Sequence, residues 1–335
     1  MDEAAPVTAA PPRRVLITGA YGFVGSALAR ACVQRGDDVV VLRHGHRPEA
    51  ALALERTEER CTVVDGDVLA DGLLDRAVGE HGIDTVFHLA AQPIVAEALR
   101  DPVASFDVNV RGTWLLLEAC RHHEVKRTVV ASTVEAYGAT NALPIVEDLP
   151  LDASLPYDIT KACADLIARG WWHAYGLPVA VVRCTNIYGG GDRNTSRLVP
   201  GAVAAALAGH PPVIRSDGSP QRDCFYVEDA AAAYLAIADV LEADPADARG
   251  EAFNAGSGAS RSVLEIVQLV CEAVGTVVEP EVRGTPLSNS QVERPVIDYG
   301  KLHEATGWEP RVALEDGIER TVQWYRRYPE ALAGY

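Results

Sequence analysis

The sequence has no CxxC pair, no internal repeat, no excess of basic charge, and no apolar run near the roughly 20 residues that a membrane helix requires. Each absence excludes a class. Lys and Arg number 30 against 47 Asp and Glu, a formal charge of -17, which argues against non-specific binding to nucleic acid or to an anionic membrane. A local basic pocket for a phosphate-bearing ligand is still compatible with that balance. The seven cysteines, Cys32, Cys61, Cys120, Cys163, Cys184, Cys224 and Cys271, are odd in number and scattered. Most lie in apolar runs, where a reduced thiol serves as a small hydrophobe, and this usage suits a reducing cytoplasm. No His, Cys or Asp cluster shows ligand spacing, and His122 and His123 read as a solvated pair, so no metal is expected. Residues 1–12 are Ala/Pro-rich and acidic at their start. Without the basic and apolar regions of a signal peptide, they read as a disordered lead-in.

What is present is apolar content, 48% of 335 residues, enough for a sizeable core. The first half alternates short β-branched runs with helical patterns. Arg14–Thr18, Asp38–Leu42, Cys61–Asp65, Thr85–Leu89, Arg127–Ala131 and Pro178–Arg183 read as strands, and Phe23–Arg35 as the first helix. Near-continuous apolar strands separated by helices imply an α/β fold with a doubly wound parallel sheet, whose ligands bind at the carboxyl ends of the strands. After Gly189 the alternation becomes irregular. A polar glycine-rich loop, Gly189–Ser196, precedes an apolar helix near Val199–Ala208 and a turn at Ser216–Pro220. Ser262 and Glu265 then form a capping box before a helix with apolar Val263, Ile266, Val267, Val270 and Val274. Residues 13–188 are thus expected as a dinucleotide-binding domain. Residues 189–335 are expected as mainly a smaller α/β substrate-binding lobe in the same compact body.

The run Thr18-Gly19-Ala20-Tyr21-Gly22-Phe23-Val24-Gly25 lies between the first strand and the first helix. Glycines there let the backbone turn tightly and approach a pyrophosphate held at the helix N-terminus, the mark of a Rossmann-type domain. The ordinary alternative is a tight turn without a ligand. The second strand ends at Leu42-Arg43, where an acid would bind ribose hydroxyls and an arginine would accommodate a 2′-phosphate. Arg43 and Arg47 therefore lean toward NADP, unless they are solvated loop charges. Asp67, with Val68 beside it, falls where an adenine contact would, or else forms a turn.

Tyr157-Asp-Ile-Thr-Lys161 places a phenol and an ammonium four residues apart, on one face of a helix. A phenol is a poor base at neutral pH, but Lys161 and a cationic nicotinamide ring would both favour its phenolate. Tyr157 could then take a proton from a substrate hydroxyl as hydride leaves. Thr133, at the end of the fifth strand, could hydrogen-bond the oxygen that becomes the carbonyl. A local backbone bond is its alternative.

The glycine run, Leu89-Ala90-Ala91, Asn109-Val-Arg-Gly-Thr113, the Tyr157/Lys161 pair and Arg183-Cys-Thr-Asn-Ile-Tyr-Gly189, in this order, resemble an extended short-chain dehydrogenase/reductase of the NAD-dependent epimerase/dehydratase family. The likeness runs from about Arg14 to Tyr325. Asn186–Asp192, Ser196–Pro200, Val213–Gly218 and Arg222–Asp229 are similar to the CDP-glucose 4,6-dehydratase group. The resemblance implies NAD as retained cofactor and a nucleotide-diphosphate sugar as substrate. It implies Thr133, Tyr157 and Lys161 as the hydride-transfer triad, with Leu89, Ala90, Ala91 and Asn109 in the cofactor site. Asn186, Arg197, Leu198, Arg215 and Arg222 would serve the nucleotide or its phosphates. It also implies a homodimer in which helices near Ala98–His122 and Tyr157–Tyr175 pair into a four-helix bundle, filled by Trp114, Leu115, Leu116, Trp171 and Trp172.

The pattern breaks at one point. Members of the group place an acid and then a Glu or Lys after the Thr, whereas here Val134 stands in the acid position and Glu135 follows. Val134 cannot donate a proton. Glu135 can still act as a base toward C5 of the sugar. Dehydration, C5 epimerisation and decarboxylation suit that base better than plain C4 epimerisation does. A net dehydrogenase and a non-catalytic NAD(P)-binding redox regulator are the other readings.

Overall fold

The computed structural model describes residues 12–243, 248–284 and 295–332, so the expected lead-in lies outside the described residues except for Pro12. Strands β1 (Arg14–Thr18), β2 (Asp38–Arg43), β3 (Thr62–Asp65), β4 (Thr85–His88), β5 (Arg127–Thr133) and β6 (Val179–Cys184) follow the expected order along the chain. With β7 (Asn186–Tyr188), β8 (Val213–Ile214), β9 (Gln221–Tyr226) and β10 (Ala252–Ala255), they define a seven-stranded sheet and the start of a second lobe. The sheet order is β10-β6-β5-β4-β1-β2-β3, and every pairing is parallel. The order reverses between β1 and β4. A Rossmann-type sheet opens its ligand crevice there, at the carboxyl ends.

Helices α1 (Phe23–Arg35), α2 (Ala51–Leu54), α3 (Leu73–Glu80), α4 (Val95–Arg100), α5 (Pro102–Phe106) and α6 (Gly112–His122) fill the first connections. They are followed by α7 (Pro156–Tyr175), α8 (Leu198–Leu207), α9 (Val227–Glu242), α10 (Val263–Val274), α11 (Gly300–Thr306) and α12 (Leu314–Arg327). Alternate strand residues feed two separate cores. Val15, Ile17, Phe87, Val129 and Val182 pack with α1 and α9 on one face, and Leu16, Val86, Val130 and Val181 pack with α3 and α6 on the other. Burial on both faces is why these strands read as continuous apolar runs.

The second lobe contains β9 between β7 and β11 (Ser260–Ser262), a short pair of β8 with β12 (Glu281–Val282), and packed helices α8, α10 and α12. The Ser262/Glu265 capping box is present at the start of α10. The chain does not divide cleanly at Gly189, however. Ala252–Ala255 returns to the large sheet beside β6, whose edge would otherwise expose a row of unpaired backbone groups, and α9 packs against β5 and β6. Among the described residues no helix is long and apolar enough to cross a membrane.

Candidate active site

The glycine turn is built by close contact. Gly19 has φ +74°, and a Cβ there would lie 2.7 Å from the carbonyl carbon of Leu89 and from the nitrogen of Ala90. A Cβ on Gly25 would lie 2.1 Å from the carbonyl oxygen of Gly19. Gly22 N–H donates to that same oxygen at 2.9 Å. The turn therefore presses onto the Leu89-Ala90-Ala91 segment after β4 and delivers α1 at the crevice. No side chain caps the N-terminus of α1, and no acid stands in its first turn. Its free N–H groups and positive dipole end fit a pyrophosphate. Tyr21, Phe23 and Val24 are half-buried around this turn.

Arg43 already carries two carboxylate partners. Its guanidinium makes a two-bond fork to Asp65 at 2.6 and 2.8 Å and a third bond to Glu58 at 2.9 Å. Glu58 also accepts from the Tyr21 hydroxyl at 2.6 Å. Two carboxylates thus surround the end of β2, a poor setting for a 2′-phosphate, and the lean toward NADP is corrected in favour of NAD. Arg47 is exposed. Asp67 accepts the backbone N–H of Leu69 at 2.8 Å, the turn-forming alternative, and Val68 is buried against Gly112.

A chain of buried polar groups joins this turn to α7. Thr18 Oγ1 lies 2.7 Å from His88 Nδ1, and His88 Nε2 lies 3.0 Å from Thr113 Oγ1. Thr113 donates to the carbonyl of Asn109 at 2.6 Å. Asn109 sits in a π-helical turn, Asp107–Arg111, and is 1% exposed. There it binds the backbone of Gln92 and donates to Thr160 Oγ1 at 2.8 Å. Thr160 donates in turn to the carbonyl of Tyr157 at 2.6 Å. Burial lowers His88 to about 3, with the Lys161 charge acting the same way, so its imidazole is neutral.

Lys161 donates to the carbonyl of Ala131, near the end of β5, and burial lowers its ammonium to about 8. Burial pushes the Tyr157 phenol above its ordinary range, and Glu135 and Asp158 push it the same way. The leading opposing charge is Arg197 rather than the expected Lys161. The phenol is therefore protonated at neutral pH.

The strand β5 runs two residues beyond expectation, through Ser132 and Thr133, which pair with Arg183 and Cys184. Thr133 Oγ1 accepts the N–H of Glu135 at 3.3 Å and caps a single 3-10 turn, Val134–Tyr137. That bond uses one lone pair and leaves the hydroxyl proton free to donate into the cleft. Val134 is buried with Tyr137, Ile145 and Ile297. Glu135 is exposed, yet protein surrounds its carboxylate closely enough for desolvation to raise its pKa, with Arg222 opposing.

The expected substrate residues lie on the second lobe. Asn186 begins β7 and donates to the carbonyl of Asp223 at 3.4 Å. Arg197 precedes Leu198 at the N-terminus of α8 and pairs with the buried Asp192 at 3.0 and 3.1 Å. Arg222 lies on β9 with its charge felt by Glu135. Asp223 beside it turns inward to Thr185 and Ser257. Arg215 is exposed just after β8.

Sequence reasoning missed several groups. Asp158 and Thr160 lie inside the Tyr157–Lys161 segment itself and are 6% and 0% exposed. Arg183 grips Asp165 with two bonds of 2.8 and 3.0 Å, tying α7 to β6, and donates to the Tyr137 hydroxyl at 2.7 Å. His122 and His123 do have a partner, because Asp75 from α3 brings Oδ1 within 3.2 and 3.0 Å of their rings. The three ligand atoms lie within 4.8 Å of one another. No spacing rule could have found Asp75, which is more than forty positions away.

The family model for the NAD dependent epimerase/dehydratase family matches residues 15–256. The dTDP-glucose 4,6-dehydratase of Xanthomonas campestris pv. campestris is 33% identical over 333 residues, covering 92% of each chain. The UDP-glucose 4-epimerase of Thermotoga maritima, solved with UDP-glucose, superposes with a TM-score of 0.83 at 28% identity, covering 94% of this chain and 99% of its own. The dTDP-glucose 4,6-dehydratase DesIV of Streptomyces venezuelae, solved with NAD, gives 0.81 at 31% identity, covering 93% and 97%.

Proposed function

Since the chain belongs to the NAD dependent epimerase/dehydratase family, we propose that it oxidises C4 of a nucleotide-diphosphate hexose transiently and restores the hydride to the same sugar. One observation carries this reading. The end of β5 with Thr133, and the turn after it with Glu135, pack against α7, which carries Tyr157 and Lys161, and Lys161 donates to the Ala131 carbonyl. NAD is the cofactor. It would be held by the glycine turn and α1, and when bound it supplies a hydride acceptor and later a donor. A bound nicotinamide cation would add to the Arg197 charge in offsetting the burial that keeps Tyr157 protonated. The Tyr157 phenolate takes the proton of the C4 hydroxyl, and Thr133 donates a hydrogen bond to the oxygen that becomes the carbonyl. Glu135 stands as the base toward C5, acidified by the new ketone.

Asn186, Arg222 and the N-terminus of α8 with Arg197 bind the diphosphate in this reading, in the second lobe. Planar guanidinium forks and open helical N–H groups suit phosphate oxygens. Incubation with nucleotide hexoses and mass analysis of the products tests the proposal. Loss of water, loss of carbon dioxide, or unchanged mass with changed retention each marks a branch of it. Stoichiometric release of reduced cofactor would instead favour net dehydrogenation. A redox regulator would keep its effect when Tyr157 is replaced by Phe.

The active form in this reading is a homodimer in the cytoplasm. The seven cysteines are unpaired, as a reducing compartment requires. Leu99, Val103, Phe106, Trp114 and Leu166 are 39–71% exposed on α4 to α7, one flank of the molecule. An exposed apolar flank suits a four-helix seam. Of the side chains expected there, Leu116 is wholly buried within the chain, and Leu115, Trp171 and Trp172 pack against the same core. Light scattering showing a monomer at working concentration would reject the dimer.

A further inference from the structure

Elimination of water from C6 of a 4-keto sugar needs a proton donor as well as a base, and Val134 is packed away among apolar side chains. A second carboxyl group stands nearby. Asp158 lies in the first turn of α7, between Tyr157 and Lys161, and is 6% exposed. Helical spacing puts it on one face with Lys161 and Asp165. Those two are engaged, Lys161 with Ala131 and Asp165 with Arg183, whereas Asp158 makes no hydrogen bond or ion pair with any described residue. Its oxygens are also absent from the fully enclosed polar atoms that have no partner, so they reach open space. The turn that carries Glu135 packs against α7, and the Glu135 charge acts on Asp158.

We propose that Asp158 is the general acid of a water-eliminating reaction at this site, supplying the proton that Val134 cannot, with Glu135 as the base. The inference rests on the transient-oxidation reading above and selects its dehydratase branch. Glu135 takes the C5 proton, and the C5–H electron pair is held as the enolate of the C4 ketone. That pair forms the C5–C6 double bond as the C6–O bond breaks, and the oxygen leaves as water with the Asp158 proton. Glu135 ends protonated and Asp158 ionised, so atoms and charge balance.

Electrostatics agree with this division of roles. Burial raises Asp158 to about 7, and the Glu135 charge adds to the rise. Its own burial and the neighbouring Glu135 charge therefore both favour the protonated form of Asp158. The charged or titratable groups around the pair are Tyr157 and Lys161 on α7, Arg222 facing Glu135, and Arg197 facing Tyr157.

The test uses the intact enzyme with its cofactor and the nucleotide hexose it turns over, in heavy water. Loss of water and uptake of deuterium at C5 are measured separately. Asp158→Asn should keep C5 exchange and lose water elimination by about 10²–10⁴-fold. Glu135→Gln should lose both, and Asp158→Glu should restore elimination in part. Wild-type elimination should fall as the pH rises through the Asp158 value. Asp158→Asn eliminating water at the wild-type rate would overturn the assignment. If Asp158→Asn does not fold, a wild-type pH profile flat across neutrality, together with no elimination by Asp158→Glu, overturns it instead. If the wild type inverts a centre without losing water, the acid role fails while transient oxidation stands. If it oxidises no nucleotide hexose, the underlying reading fails as well.

Discussion

The side-chain amide of Asn109 donates to Thr160 Oγ1 at 2.8 Å, across 51 positions of sequence, and so fixes the helix that carries Tyr157 and Lys161 to the segment after β4. Asn109 also accepts from the N–H of Gln92 at 2.7 Å. Asn109→Asp keeps that acceptor and loses the donor. It should cost about 1–3 kcal/mol, because Thr160 is left with a buried unmade bond. As a positioning change it should lower kcat more than it raises KM. Thermal melting and steady-state kinetics check both. A variant with native stability and kcat would show that the latch is idle.

The three bonds of Arg43 to Asp65 and Glu58 bear on the choice of cofactor. NAD should bind more tightly than NADP, because both carboxylates repel a 2′-phosphate. Glu58→Gln combined with Asp65→Asn should narrow the difference, most clearly at low salt, where screening is weakest. Titration of each cofactor by fluorescence measures it. Tighter binding of NADP by the wild type would contradict the role given to the pair.

Arg183 and Asp165 are 1% and 0% exposed and joined by a two-bond fork. Removing one partner of such a pair typically costs about 3–5 kcal/mol, because the other charge stays buried without compensation. Asp165→Asn should therefore lower the urea midpoint substantially. A loss under about 1 kcal/mol would mean that the network relaxes around the change.

The large sheet was legible because most of its strands are buried on both faces and the first helix is long. Arg14–Thr18 and Phe23–Arg35 stand where their patterns put them. Ala252–Ala255 was not legible, because a four-residue run with two alanines carries little strand signal. It becomes a strand only because β6 has an open edge. Within the site, local motifs such as Tyr157/Lys161 and the glycine turn show in sequence, since the chemistry lies within a few positions. Pairings between distant residues do not. The neutralisation of Arg43 by Glu58 and Asp65, and the Asn109–Thr160 bond, arise from tertiary proximity. The inward face of Asp158 was hidden for another reason, since a polar residue in a first helical turn ordinarily reads as solvated.

The most direct measurement follows a deuterium atom placed at C4 of the nucleotide hexose. Transient oxidation with return of the hydride should leave the deuterium in the sugar product, at C6 after loss of water or at C4 after inversion, with no accumulation of reduced nicotinamide. Tyr157→Phe should slow that transfer by about 10²–10⁴-fold while cofactor affinity holds. Release of the deuterium on free reduced cofactor, in step with an oxidised sugar, would contradict it.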